Sequence, residues 1–119
     1  MNNETTPADR FERALVYKVD GRYNESLAEL RAFLAKRPDD PEAHHQLGLV
    51  LGFTGEFEPS LSELRRAVDL APENALIRND LALTYTMLGR YDEAKAQFAR
   101  VLAKDRENPI ALRNLTYFE

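Results

Sequence analysis

Residues 40–74 read DPEAHHQLGLVLGFTGEFEPSLSELRRAVDLAPEN. The stretch opens on Asp40 and closes on Asn74, both side chains that accept hydrogen bonds at a helix start. Inside it, Gly55 separates two helical runs and Pro72 ends the second, because proline lacks the N–H that a continuing helix needs. Outward from this stretch the same marks recur at one interval. Gly21, Gly55 and Gly89 are 34 residues apart (55 − 21 = 34; 89 − 55 = 34). Thr6, Asp40, Asn74 and Asn108 keep that step (40 − 6 = 34; 74 − 40 = 34; 108 − 74 = 34) and are followed by Pro7, Pro41, Ala75 and Pro109. An aromatic, Tyr23, Phe57 or Tyr91, stands two residues after each glycine. A fixed period of this length marks a stack of equal units, each too small to bury its apolar face alone.

Between the marks the apolar residues follow the helical period. Leu27, Leu30, Phe33 and Leu34 share one face, and Leu61, Leu64, Ala67 and Val68 repeat that face in the next unit. Lys95 interrupts the pattern in the third unit, while Phe98, Val101 and Leu102 keep it. The spacing predicts seven helices, at 7–20, 23–36, 41–54, 57–70, 75–88, 91–105 and 109–118, and no strand. Arg106 stands where the other units carry a closing proline, so the sixth helix is expected to run past its counterparts. The fold class is all-α, a solenoid of antiparallel helix pairs. Its one domain spans 7–118, with units 7–40, 41–74 and 75–108, a terminal helix 109–118 and a disordered tail 1–6.

Composition narrows the function classes. With 119 residues the chain has room for one domain. The net charge of −4, with both signs interspersed, gives no basic patch for nucleic acid. The absence of cysteine removes disulfides, thiol catalysis and thiolate metal sites. No apolar leader opens the chain and no run approaches the roughly 20 residues of a membrane span, so a cytoplasmic setting without membrane insertion is expected. His44 and His45 are the only histidines. Adjacent helical residues point about 100° apart and cannot both face one metal. No nucleophile–base–acid spacing or phosphate-binding glycine loop occurs. Asp39-Asp40 and Asp92-Glu93 sit where helix-start electrostatics explains them. No catalytic residue, metal site or cofactor is expected.

The chain resembles the tetratricopeptide repeat, whose pattern is W-x2-L-G-x2-Y, then A-x3-F, then P. In the second unit Leu47-Gly48, Leu51, Ser60, Leu64 and Pro72 take those slots. In the third they are Leu81-Ala82, Tyr85, Ala94 and Phe98, and in the first Ala14, Tyr17, Ser26, Leu30 and Pro38. Small residues on both partner helices allow close approach. Three departures stand out: the tryptophan slot holds Arg10, His44, Arg78 and Leu112, the leucine slot of the first unit holds Arg13, and Arg106 replaces the last proline.

The resemblance implies a right-handed superhelix whose first helices line a concave groove for a partner protein. It places Phe11, Leu15 and Lys18 there from the first unit, and Glu42, His45, Leu49 and Phe53 from the second. The third unit adds Leu76, Asn79, Leu83 and Met87, and the terminal helix adds Arg113 and Tyr117. Leu15, Leu49, Leu83 and Tyr117 make an apolar stripe suited to an extended peptide or a helix, oriented by Glu42, His45, Asn79 and Arg113. The other reading of these positions is packing of first helix against first helix. Some members of the family clamp the C-terminal carboxylate of chaperone tails. The corresponding slots here are Phe11, Leu15, Gln46, Leu76 and Asp80, without a lysine or arginine, so such EEVD tails are not expected partners. The terminal helix matches the first half of a further unit. Its Leu112, Leu115 and Phe118 motivate an alternative, a scaffold that pairs with a second copy as a homodimer through this end. An enzyme is the remote alternative.

Overall fold

The computed structural model describes residues 6–118. They form α1 (Pro7–Val19), α2 (Tyr23–Lys36), α3 (Pro41–Phe53), α4 (Phe57–Leu70), α5 (Ala75–Met87), α6 (Tyr91–Lys104) and α7 (Pro109–Tyr117), with no strand among the described residues. Of the expected tail 1–6, residues 1–5 lie outside the described residues. Thr6 is part of the fold: its hydroxyl accepts from the Asp9 N–H at 3.1 Å, and the Asp9 carboxylate accepts from the Thr6 N–H at 3.3 Å.

First and second helices begin by different means. Asp40, Asn74 and Asn108 each accept from a backbone N–H three residues on, at 2.9, 3.0 and 3.1 Å. The second helices have no side-chain cap and depend on the turn before them. There Gly21, Gly55 and Gly89 take φ of 76, 83 and 76°, the left-handed region that glycine enters at least cost. The residue after each glycine donates back into the finished helix: Arg22 to Tyr17 O at 2.8 Å, Glu56 to Leu51 O and Arg90 to Tyr85 O at 2.9 Å. This wrapped helix end sets one hairpin angle three times.

Small residues then close each hairpin. Ser26 Oγ donates to Ala14 O at 2.8 Å, and Ser60 Oγ donates to Gly48 O at 2.6 Å. A Cβ added at Gly48 would lie 2.8 Å from Leu64 Cγ, so glycine is required by close approach here. Around these contacts Leu30, Leu61, Leu64, Ile77, Leu81 and Phe98 are fully buried. Leu27, Leu30, Leu47, Val50 and Leu51 form the interior of the first half; Leu61, Leu64, Leu81, Tyr85, Phe98 and Val101 form that of the second. Each helix packs mainly on its neighbours in sequence, with slighter contacts between successive first helices, as between α1 and α3. The result is elongated, 59 × 27 × 20 Å.

The expected extension of the sixth helix does not occur. α6 has 14 residues, the same as α2 and α4. Proline is not needed to stop it, because Asn108 must leave the helix to start α7. The Asn108 N–H donates to Asp105 O at 3.1 Å, and its side-chain amide donates to the Asp105 carboxylate at 3.0 Å. The same backbone turn closes the second unit, from Asn74 to Ala71 O at 3.0 Å.

Candidate functional site

The first helices stand side by side and are joined by polar contacts. Lys18 Nζ on α1 donates to Gln46 Oε1 on α3 at 2.6 Å, and the Gln46 amide donates to Glu42 at 3.0 Å. His45 Nε2 on α3 lies 2.6 Å from Asp80 on α5. A carboxylate only accepts, so Nε2 carries the proton and donates. Asn79 on α5 donates through Nδ2 to Asn108 at the start of α7, at 3.0 Å. These bonds make α1, α3, α5 and α7 one continuous surface.

Two of the expected groove residues are taken up in building that surface. His45 and Asn79 are 2% and 1% exposed, so neither side chain is available to a partner in this arrangement. Each bonds one first helix to the next first helix or its start. Phe11, Leu15, Leu49 and Leu83 are half-buried. Phe11 packs on Phe33 with ring centroids 5.3 Å apart, and Leu49 and Leu83 lean on the core. Lys18 is half-buried and tied to Gln46. The open positions are Glu42, Phe53, Leu76, Met87, Arg113 and Tyr117. Among them Phe53, Leu76, Met87 and Tyr117 present large apolar groups that are 59%, 58%, 69% and 84% exposed. Phe53 is stacked on Tyr23 of α2, with ring centroids 5.4 Å apart. At the first-unit end, Phe11 and Phe33 floor a cavity of about 300 Å³ edged by Glu12, Asp40 and Glu42.

Helix hairpins at constant register, with their first helices joined into one face, are the arrangement that the 34-residue spacing requires. The tetratricopeptide repeat pattern matches residues 11–75 and again residues 54–116, each more than half of the chain. The chain belongs to the tetratricopeptide repeat family. The fold of these repeats is similar to a crystal structure of MamA, with a TM-score of 0.82 at 21% identity over 89% of this chain and 62% of that one. MamA from Desulfovibrio magneticus RS-1 (residues 41 to the end) gives 0.80 at 24% identity, over 86% of this chain and 58% of that chain. The first TPR of Spaghetti (RPAP3), bound to the HSP90 peptide SRMEEVD, gives 0.85 at 20% identity, over 93% of this chain and 88% of that one. The chain thus spans about three-fifths of the length of the MamA structures. No curated protein matches it in sequence.

The repeats place the family's tryptophan slot on the opposite side, between first and second helices. There His44 Nδ1 meets Glu63 at 2.6 Å and its Nε2 meets Pro38 O at 2.7 Å. Among the described residues no group of three or more His, Cys, Asp or Glu is placed to hold a metal. No described helix is long and apolar enough to cross a membrane. At the C-terminal end, Leu115 and Phe118 turn inward: both pack on the core, and Phe118 lies 5.4 Å from the Tyr91 ring. Leu112 alone of the expected pairing residues is well exposed, at 44%.

Proposed function

We propose that these repeats form a non-catalytic scaffold that seats a partner helix or extended peptide along the first-helix surface. The observation that carries this reading is the set of exposed apolar side chains Phe53, Leu76, Met87 and Tyr117 on that surface. Preformed helices spare the site the ordering cost that a flexible loop would incur on binding. Glu42 and Arg113 supply the open charges that orient the partner. Chaperone tails of the EEVD type remain outside the proposed partners. Phe11, Leu15, Gln46, Leu76 and Asp80 offer no cation for a terminal carboxylate, and Lys18 is committed to Gln46. Leu76 and Met87 suit the test better than half-buried Leu49 and Leu83, since changing them leaves the core intact. The Leu76→Glu/Met87→Glu double variant is expected to retain none of the proteins that the unaltered chain captures from its native cell extract, with circular dichroism unchanged. Equal capture by both proteins refutes the groove.

A second reading is pairing of two copies through α7. In the preceding units the slots of Leu112 and Leu115 are covered by the unit's own second helix: Arg78, in the Leu112 slot, is 8% exposed, and Leu47 and Leu81, in the Leu115 slot, are 4% and 1% exposed. In α7, Leu112 is open and Leu115 only half-covered. Sedimentation over a concentration series is expected to show a dimer that Leu112→Glu dissociates. A monomer at every concentration removes this reading.

A further inference from the structure

Three slots that are equivalent by the 34-residue step show a basic side chain meeting a carboxylate twice and missing it once. Arg10 sits 3.7 Å from Glu29, and His44 sits 2.6 Å from Glu63. In the third unit the same two positions are Arg78 and Gln97 (44 + 34 = 78; 63 + 34 = 97). Arg78 Nη1 donates to Gln97 Oε1 at 2.7 Å and Nη2 donates to Pro72 O at 3.0 Å, but the carboxylate has become an amide. A second pair is lost beside it. Arg66 binds Asp39 at 2.8 Å, whereas the equivalent Glu73 is engaged with Lys104 at 3.8 Å and leaves Arg100 without it.

Arg78 is 8% exposed. Burial, and next the nearby charge of Arg100, hold its guanidinium below the ordinary arginine range; the charges of Glu73 and Asp69 oppose that. Among the described residues Arg65, Arg78 and Arg100 form no ion pair. All three border one cavity of about 300 Å³ on the side away from the first-helix surface, with Asp69 as its only carboxylate. That space is many times the roughly 30 Å³ that a water occupies in the liquid. Arg78 meets only neutral hydrogen-bond partners, and the three guanidiniums here outnumber the one carboxylate that the chain supplies to the cavity, which favours an added anion.

We propose that the cavity between α4, α5 and α6 binds a phosphate group, held by Arg78 from its floor and by Arg65 and Arg100 from its rim. Three guanidiniums less Asp69 leave a charge of +2 (3 − 1 = 2). A phosphate monoester carries about −1.5 to −2 at neutral pH, which balances that sum where a carboxylate does not. Guanidinium forks fit its oxygens bidentately. The phosphate is either free or carried on a partner's side chain, and the chemistry of the site is the same for both.

Titration calorimetry of the whole chain with inorganic phosphate, and separately with the peptide acetyl-Ala-phosphoserine-Ala-amide, tests this. Saturable binding is expected, and the tighter of the two names the source. Arg100→Gln, an exposed change, is expected to weaken it about tenfold or more. Gln97→Glu restores the carboxylate that the first two units carry, and is expected to abolish binding in a folded protein. Binding that survives Gln97→Glu, acetate that binds as tightly as phosphate, or no saturable binding of either phosphate up to about 10 mM overturns the proposal.

Discussion

Phe98→Ala is expected to lower the free energy of unfolding by about 3–5 kcal/mol. The ring is fully buried and sits among Leu64, Leu81, Tyr85, Ala94 and Val101. Ala82 and Ala94, the small pair of this hairpin, leave room for the ring and nothing to replace it. A helical neighbour cannot slide in, because Ser-to-carbonyl contacts and the capped turns fix the register of the adjoining hairpin. Removing the side chain therefore costs transfer free energy plus an unfilled cavity. Domains of this size have about 5–15 kcal/mol in total, so the variant should stand near its unfolding threshold. Urea denaturation followed at 222 nm checks it; a loss under about 1 kcal/mol would show that the third hairpin is not packed as described.

Arg78→Met is expected to act in the other direction, raising stability by about 1–3 kcal/mol. Methionine fills the volume of the arginine stem and removes a charge that forms no ion pair among the described residues and meets only Gln97 and Pro72. The register gives a precedent, since the same slot in α7 holds Leu112. Two carbonyl-side contacts are surrendered, to Gln97 Oε1 and Pro72 O, and both oxygens have access to water beside the cavity. Thermal melts of both proteins in phosphate-free buffer check the sign. A lower melting temperature for Arg78→Met means that the two hydrogen bonds outweigh the desolvated charge.

The architecture was legible because its determinants are local. Asp40 and Asn74 can start a helix only through their own next turn, and Gly55 can wrap a helix end only where φ is positive. Such rules act over a few residues and repeat with the unit. The surface was legible in outline but not residue by residue. His45 and Asn79 have the helical phase of exposed positions such as Leu76 and Phe53. Whether they face solvent depends on how closely α3 approaches α5 and α5 approaches α7, which no intrahelical spacing reveals. Phe118 likewise reads as free on an isolated helix, and it is Tyr91 and Lys95 of α6 that receive it. The uncompensated Arg78 left a trace in the sequence: Glu29 and Glu63 give way to Gln97 at the third step. That trace acquires meaning only once the slot is seen to pair with it across the hairpin.

Because every substantial contact joins helices that are consecutive along the chain, the molecule behaves as a one-dimensional array. Nothing at one extremity braces the other, so α7, which has a neighbour on one side only, should open and exchange its amide hydrogens first. The same economy of wiring makes length negotiable: adding or trimming a hairpin at an extremity disturbs one junction and leaves the interior untouched.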